Sequence, residues 1–176
     1  SNSKMFRLLQ GDVGSGKTIV ALISALSVIN SNFQVALMAP TEILARQHYS
    51  LAKKLFPENI SIELLSSKSE NIDKKRIIKE LENNKIKMIF GTHAIFQKKI
   101  LFNKLGYIII DEQHKFGVRQ RKLLSDKGGD NCDVLLMSAT PIPRTLTMSV
   151  YGDMDVSIIK EKPNNRKEVK TYSKLE

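Results

Sequence analysis

The chain contains one cysteine, Cys132, and no tryptophan. A lone thiol cannot close an internal disulfide, and no Cys/His cluster stands at zinc-ligand spacing, so neither device staples this fold. No apolar run approaches the roughly 18 residues that span a bilayer, and the N-terminus has no apolar signal core. A reducing, cytoplasmic setting is the expectation. Proline and glycine are sparse, five and nine in 176 residues, which excludes collagen-like and low-complexity chains. Negative charge is also short: 18 Asp and Glu stand against 28 Lys and Arg, for a net charge of +10. That excess suits a polyanionic partner such as nucleic acid. It suits equally a lysine-rich composition of the kind an AT-rich genome produces.

What is present is a globular amount of apolar residue, 41%, enough for one core. Residues 1–4 read as a tag remnant and lead-in, 5–160 as one domain, and 161–176, with Pro163 and Asn164-Asn165, as a polar linker. Short apolar runs predict strands over 5–10, 34–39, 60–65, 87–91, 106–111, 133–138 and 155–159. Helical spacing is found over 18–29, 41–56 and 69–83, with Thr41 as a candidate N-cap. Strands alternating with helices imply an α/β fold, a mostly parallel central sheet covered on both faces. Ligands bind at the carboxyl ends of such strands. Polar clusters begin there five times, at Gly11, Thr41, Gly91, Asp111 and Ser138.

The first cluster, Gly11-Asp12-Val13-Gly14-Ser15-Gly16-Lys17-Thr18, fits G-x-x-x-x-G-K-[ST] at every fixed position and stands between a strand and a helix. Its glycines let the backbone turn tightly and aim N–H groups inward. The following helix start adds positive potential for phosphate. Lys17 supplies a point charge to the β- and γ-phosphates of ATP, and the Thr18 hydroxyl can ligate Mg²⁺. The apolar strand Tyr107-Ile108-Ile109-Ile110 ends in Asp111-Glu112. Asp111 can hold Mg²⁺ through water, and Glu112 can act as general base on the attacking water. A guanine-binding N-K-x-D is missing, since Asn103-Lys104-Leu105-Gly106 lacks the acid. That, with Glu112, argues against a GTPase or small-molecule kinase. Glu112 also argues against a binding module without hydrolysis.

Asp111-Glu112-Gln113-His114 together with Ser138-Ala139-Thr140 resembles the DExH box and coupling motif of superfamily 2 helicases. Longer strings, QGDVGSGKT at 10–18, APTEILARQH at 39–48, GTHAIFQ at 91–97, DEQHKFGV at 111–118 and SATPIPRT at 138–145, closely resemble the RecG family of branched-DNA helicases. The transcription-repair coupling translocases share the first and last strings. They typically carry DEEH in place of DEQH, and a different motif at Thr41-Glu42-Ile43. Lys115 stands where the family often has arginine, which keeps the charge but loses a bidentate fork.

The resemblance implies a RecA-like P-loop NTPase lobe in a three-layer sandwich, using ATP and Mg²⁺ to move along forked or junction DNA without reading its sequence. It implies catalytic roles for Lys17, Asp111, Glu112 and His114. Gln113, His114, Ser138, Ala139 and Thr140 would couple nucleotide state to DNA. Pro40, Thr41, Arg46, Gly91, Thr92 and His93 would meet the DNA backbone. His48 is left without a firm assignment. Residues 141–144 (PIPR) read either as a rigid loop beside DNA or as a capped helix start. The basic stretch 114–127 reads either as a DNA surface or as a solvated face. The family's motor also needs a second RecA-like lobe with an arginine finger, a wedge domain and an adenine-reading segment. The chain therefore reads as an excised, monomeric first lobe, expected to bind nucleotide weakly, hydrolyse it very slowly and unwind nothing alone.

Overall fold

The computed structural model describes residues 5–66, 69–111, 132–140 and 154–160. Glu112, Gln113, His114, Lys115 and the stretches 114–127, 141–144 and 161–176 lie outside the described residues, as do residues 1–4.

Seven strands form one sheet: β1 (Phe6–Gly11), β2 (Gln34–Met38), β3 (Ile62–Leu65), β4 (Met88–Gly91), β5 (Leu105–Ile110), β6 (Asp133–Ser138) and β7 (Asp155–Ile159). Their order is β3-β4-β2-β5-β6-β1-β7, and all six pairings are parallel. Among the described residues, three helices intervene, α1 (Lys17–Asn30), α2 (Glu42–Leu55) and α3 (Asn71–Glu82), with a 3₁₀ turn at His93–Phe96. The sequence did not signal that turn. β3 and α3 each begin two residues later than the apolar pattern suggests, at Ile62 and Asn71.

Successive strand residues point to opposite faces, so a sheet buried on both sides needs unbroken apolar runs. Tyr107 and Ile109 pack on one side with Ala21, Leu22 and Ala25 of α1 and Ala45 and Ala52 of α2. Ile108 and Ile110 pack on the other with Ile77 and Leu81 of α3. The same alternation sends Leu8 and Leu136 one way and Leu9 and Leu135 the other. Two apolar layers enclosing a parallel sheet make the three-layer α/β sandwich.

The far end of the sheet is held by a buried polar residue. The Gln34 amide nitrogen donates to the carbonyls of Leu81 and Ile86, both at 2.9 Å. Its oxygen accepts from the backbone N–H groups of Asn103 and Lys104 at 2.8 and 3.0 Å. One fully buried side chain thus ties β2, the end of α3 and the approach to β5.

Candidate functional site

β1 runs into the loop 11–16, which opens α1. Gly14 and Gly16 have φ of 82° and 88°, the left-handed region that costs a Cβ-bearing residue about 1–2 kcal/mol. Ser15 N–H closes the turn on the Asp12 carbonyl at 3.0 Å. Gly16 occupies the N-cap position of α1 without a side-chain cap, and the first turn has no acid. The helix start therefore presents N–H groups that no side chain of its own satisfies. Lys17 is buried and donates to the carbonyls of Gly11 and Asp12 at 2.5 and 2.9 Å. The Ser15 hydroxyl is buried with no hydrogen-bond partner among the described residues. Inward N–H groups, a held ammonium and an orphaned hydroxyl fit a phosphate chain, since each gains an acceptor from it. Thr18, half-buried, is the second residue of α1.

β5 lies two strand spacings from β1, about 10 Å, with β6 between them. Asp111 follows β5 directly, and its N–H donates to the Met38 carbonyl at 2.9 Å. Its Oδ2 lies 2.6 Å from Nε2 of His48 on α2, and both side chains are 10% exposed. Ser138 ends β6, in register with Gln10 of β1. Its hydroxyl donates to the Thr140 carbonyl at 3.0 Å and accepts from the Thr140 N–H at 3.2 Å. Ala139 lies between them, half-buried.

The remaining clusters occupy the other half of the same edge. Pro40 is exposed after β2. Thr41 caps α2, its hydroxyl accepting from Leu44 N–H at 3.3 Å. Arg46 lies on the exposed side of α2, in an open groove with Glu42, Ile43 and Gln47. Gly91 ends β4 and accepts from Ala39 N–H at 2.9 Å. Thr92 is half-buried and His93 is exposed at the start of the 3₁₀ turn.

The structure thus gathers the 11–18 loop, Ser138 to Thr140, Asp111, residues 40 and 41, and residues 91–93 along the carboxyl edge of one sheet. Arg46 stands on the outer side of α2. Sequence reading missed the His48–Asp111 pair. Its one available signal was spacing: Ala45, His48 and Ala52 form the buried stripe of α2, and an inward polar group needs a partner.

A parallel sheet whose phosphate loop and acid-tipped strand are separated by one strand defines a RecA-like P-loop nucleotide-binding domain. More particularly, the chain belongs to the DEAD/DEAH box helicase family, whose model matches residues 2–149. It is 54% identical over 169 residues to the ATP-dependent DNA helicase RecG of Aquifex aeolicus, covering 95% of this chain and 21% of that protein. It is 52% identical over 173 residues to RecG of Borreliella burgdorferi, covering 98% and 25%. The chain therefore spans a fifth to a quarter of the length of these relatives. Among solved structures, RecG bound to a three-way DNA junction superposes with a TM-score of 0.79 at 45% identity, covering 96% of this chain and 22% of that one. A DEAD box protein of Methanococcus jannaschii shares the fold, with a TM-score of 0.67 at 23% identity over 88% of this chain and 46% of its own. Among the described residues, no helix is long and apolar enough to cross a membrane.

Proposed function

We propose that this chain is the nucleotide-gripping lobe of an ATP-driven, RecG-like helicase that remodels forked and junction DNA in recombination and repair. One observation carries the reading: the phosphate loop and Asp111 end strands on the same edge of the sheet, one strand apart, on a chain about half identical to RecG helicases.

In this reading, the backbone N–H groups of residues 11–16 and the Lys17 ammonium hold the ATP phosphates. The Thr18 hydroxyl and the Asp111 carboxylate hold Mg²⁺, Asp111 through water. Bound Mg²⁺ neutralises charge that develops on the phosphate oxygens. Glu112 accepts the proton of the attacking water. Gln113 and His114 link that chemistry to Ser138, Ala139 and Thr140. The DNA backbone lies along Pro40, Thr41, Arg46, Gly91, Thr92 and His93. Contacts to phosphate and sugar carry no base information, so binding is sequence-independent.

Residues 5–160 form the lobe, and 161–176 lead toward a second RecA-like lobe. That lobe would complete the ATP cleft, and a wedge domain would split the fork. The whole works as a cytoplasmic monomer. The test uses the protein carrying both lobes: Glu112→Gln retains ATP binding and loses unwinding of a forked duplex. Normal unwinding by that variant would remove Glu112 from its role.

A further inference from the structure

His48 is placed where a buried core residue would pack, yet its ring meets a charged group. Its Nε2 lies 2.6 Å from Asp111 Oδ2, with each side chain 10% exposed. An ionised carboxylate only accepts hydrogen bonds, so the ring presents Nε2–H to it. Bonds of this length to an ionised acceptor are the strong, orienting kind. Asp111 has a second anchor, the 2.9 Å bond from its N–H to the Met38 carbonyl. Both anchors belong to the β2–α2 unit. The same unit carries Thr41 at the helix start and Arg46 on the exposed side.

We propose that His48 is a positioning residue: it fixes the Asp111 carboxylate for the divalent cation and ties it to the helix that faces DNA. This inference rests on the proposed role of Asp111. Mg²⁺ demands near-ideal octahedral geometry and keeps several waters, so a carboxylate that holds it through water must aim its oxygens at fixed positions. A carboxylate with one oxygen held by an imidazole cannot rotate freely. Removing the outer partner of a direct metal ligand typically costs about 10–100-fold in metal affinity or activity, and for a carboxylate acting through water the lower end of that range is expected. The link is physically separate from the motif at Ser138 and Thr140, so it gives DNA contact on α2 a second route to the nucleotide site. Displacement of α2 by DNA would move the carboxylate with it.

The test is a Mg²⁺ titration of fluorescent ATP-analogue binding to this chain, compared across wild type, His48→Ala, His48→Gln and Asp111→Asn. His48→Ala is expected to raise the Mg²⁺ midpoint by about tenfold while leaving Mg²⁺-free binding, which depends on the loop and Lys17, unchanged. His48→Gln, whose amide can still donate, recovers part of the shift. Asp111→Asn shifts the midpoint at least as far, and adding His48→Ala to it shifts it no further. Circular dichroism checks folding, and if His48→Ala does not fold, His48→Gln against wild type carries the comparison. Wild-type midpoints for the folded His48 variants beside a shifted Asp111→Asn would overturn the positioning role alone. An unshifted Asp111→Asn would overturn the metal role of Asp111 and this inference with it.

Discussion

In the proposed reading, Lys17 serves both fold and chemistry. Its ammonium bonds to the Gly11 and Asp12 carbonyls, closing the loop around itself. The same three N–H donors can turn to phosphate oxygens when these arrive. Lys17→Ala removes a charge-assisted contact of about 1.5–3 kcal/mol, so fluorescent ATP-analogue affinity is expected to fall roughly 10–100-fold. Gly16 raises a different question. A Cβ built there would meet nothing within 4 Å, but φ is +88°. Gly16→Ala is therefore expected to cost about 1–2 kcal/mol through backbone strain alone, read as a lower unfolding midpoint. Tyr107 adds a pH effect. Burial raises its phenol above the ordinary 10.0, partly offset by the bond to the Ser24 hydroxyl. The folded chain then holds that proton more tightly than the unfolded chain. The stability this contributes is complete below pH 10 and is lost as pH rises through the raised value. Tyr107→Phe should flatten that part of the alkaline limb of a stability–pH curve.

At the scale of elements, the strands and helices were legible because sheet burial on both faces demands a recognisable pattern. The run Tyr107-Ile108-Ile109-Ile110 cannot alternate with polar residues when both sides meet a core layer. Thr41 could be read as a cap because a β-branched hydroxyl before Glu42 has few other local uses, and its bond to Leu44 N–H is the expected one. The 3₁₀ turn at His93–Phe96 left no periodic signature, being a single turn. Its placement explains Gly91 instead: a Cβ there would stand 2.5 Å from Ile95 Cγ2 and 3.0 Å from the Leu65 carbonyl. The role of Gln34 was likewise invisible in sequence, where it counted only as the first residue of the strand over 34–39. Its four partners lie on segments 47 to 70 residues away, and no local pattern encodes them. Gln34→Leu would leave the buried Ile86 carbonyl without this partner, and likewise the part-buried N–H groups of Asn103 and Lys104, while the Leu81 carbonyl keeps its bond from Asn84 N–H. A loss of about 1–3 kcal/mol is expected, the cost of one buried unsatisfied group, since the two N–H groups lie near solvent. Chemical denaturation would measure it. The His48–Asp111 pair escaped for the same reason, being a contact between two elements 63 residues apart.

At the scale of the molecule, the carboxyl edge divides into two halves. The phosphate loop and Ser138 occupy one side of Asp111, and the β2 and β4 ends occupy the other. In the proposed reading, nucleotide and DNA sit on one sheet, with Asp111 at the junction. DNA held by its backbone displaces counterions, so affinity falls with salt. In the protein carrying both lobes, Arg46→Ala is expected to weaken binding about equally for all sequences. It should also reduce the slope of log K against log salt by about 1; an unchanged slope would take Arg46 off the DNA path. The most direct test of the shared site is a crystal structure of the chain with a non-hydrolysable ATP analogue and Mn²⁺, located by anomalous scattering. The expected result is a triphosphate in the 11–18 loop and a metal peak between the Thr18 hydroxyl and the Asp111 carboxylate. A nucleotide bound elsewhere, or a metal with Asp111 out of water-bridged reach, would contradict the assignment.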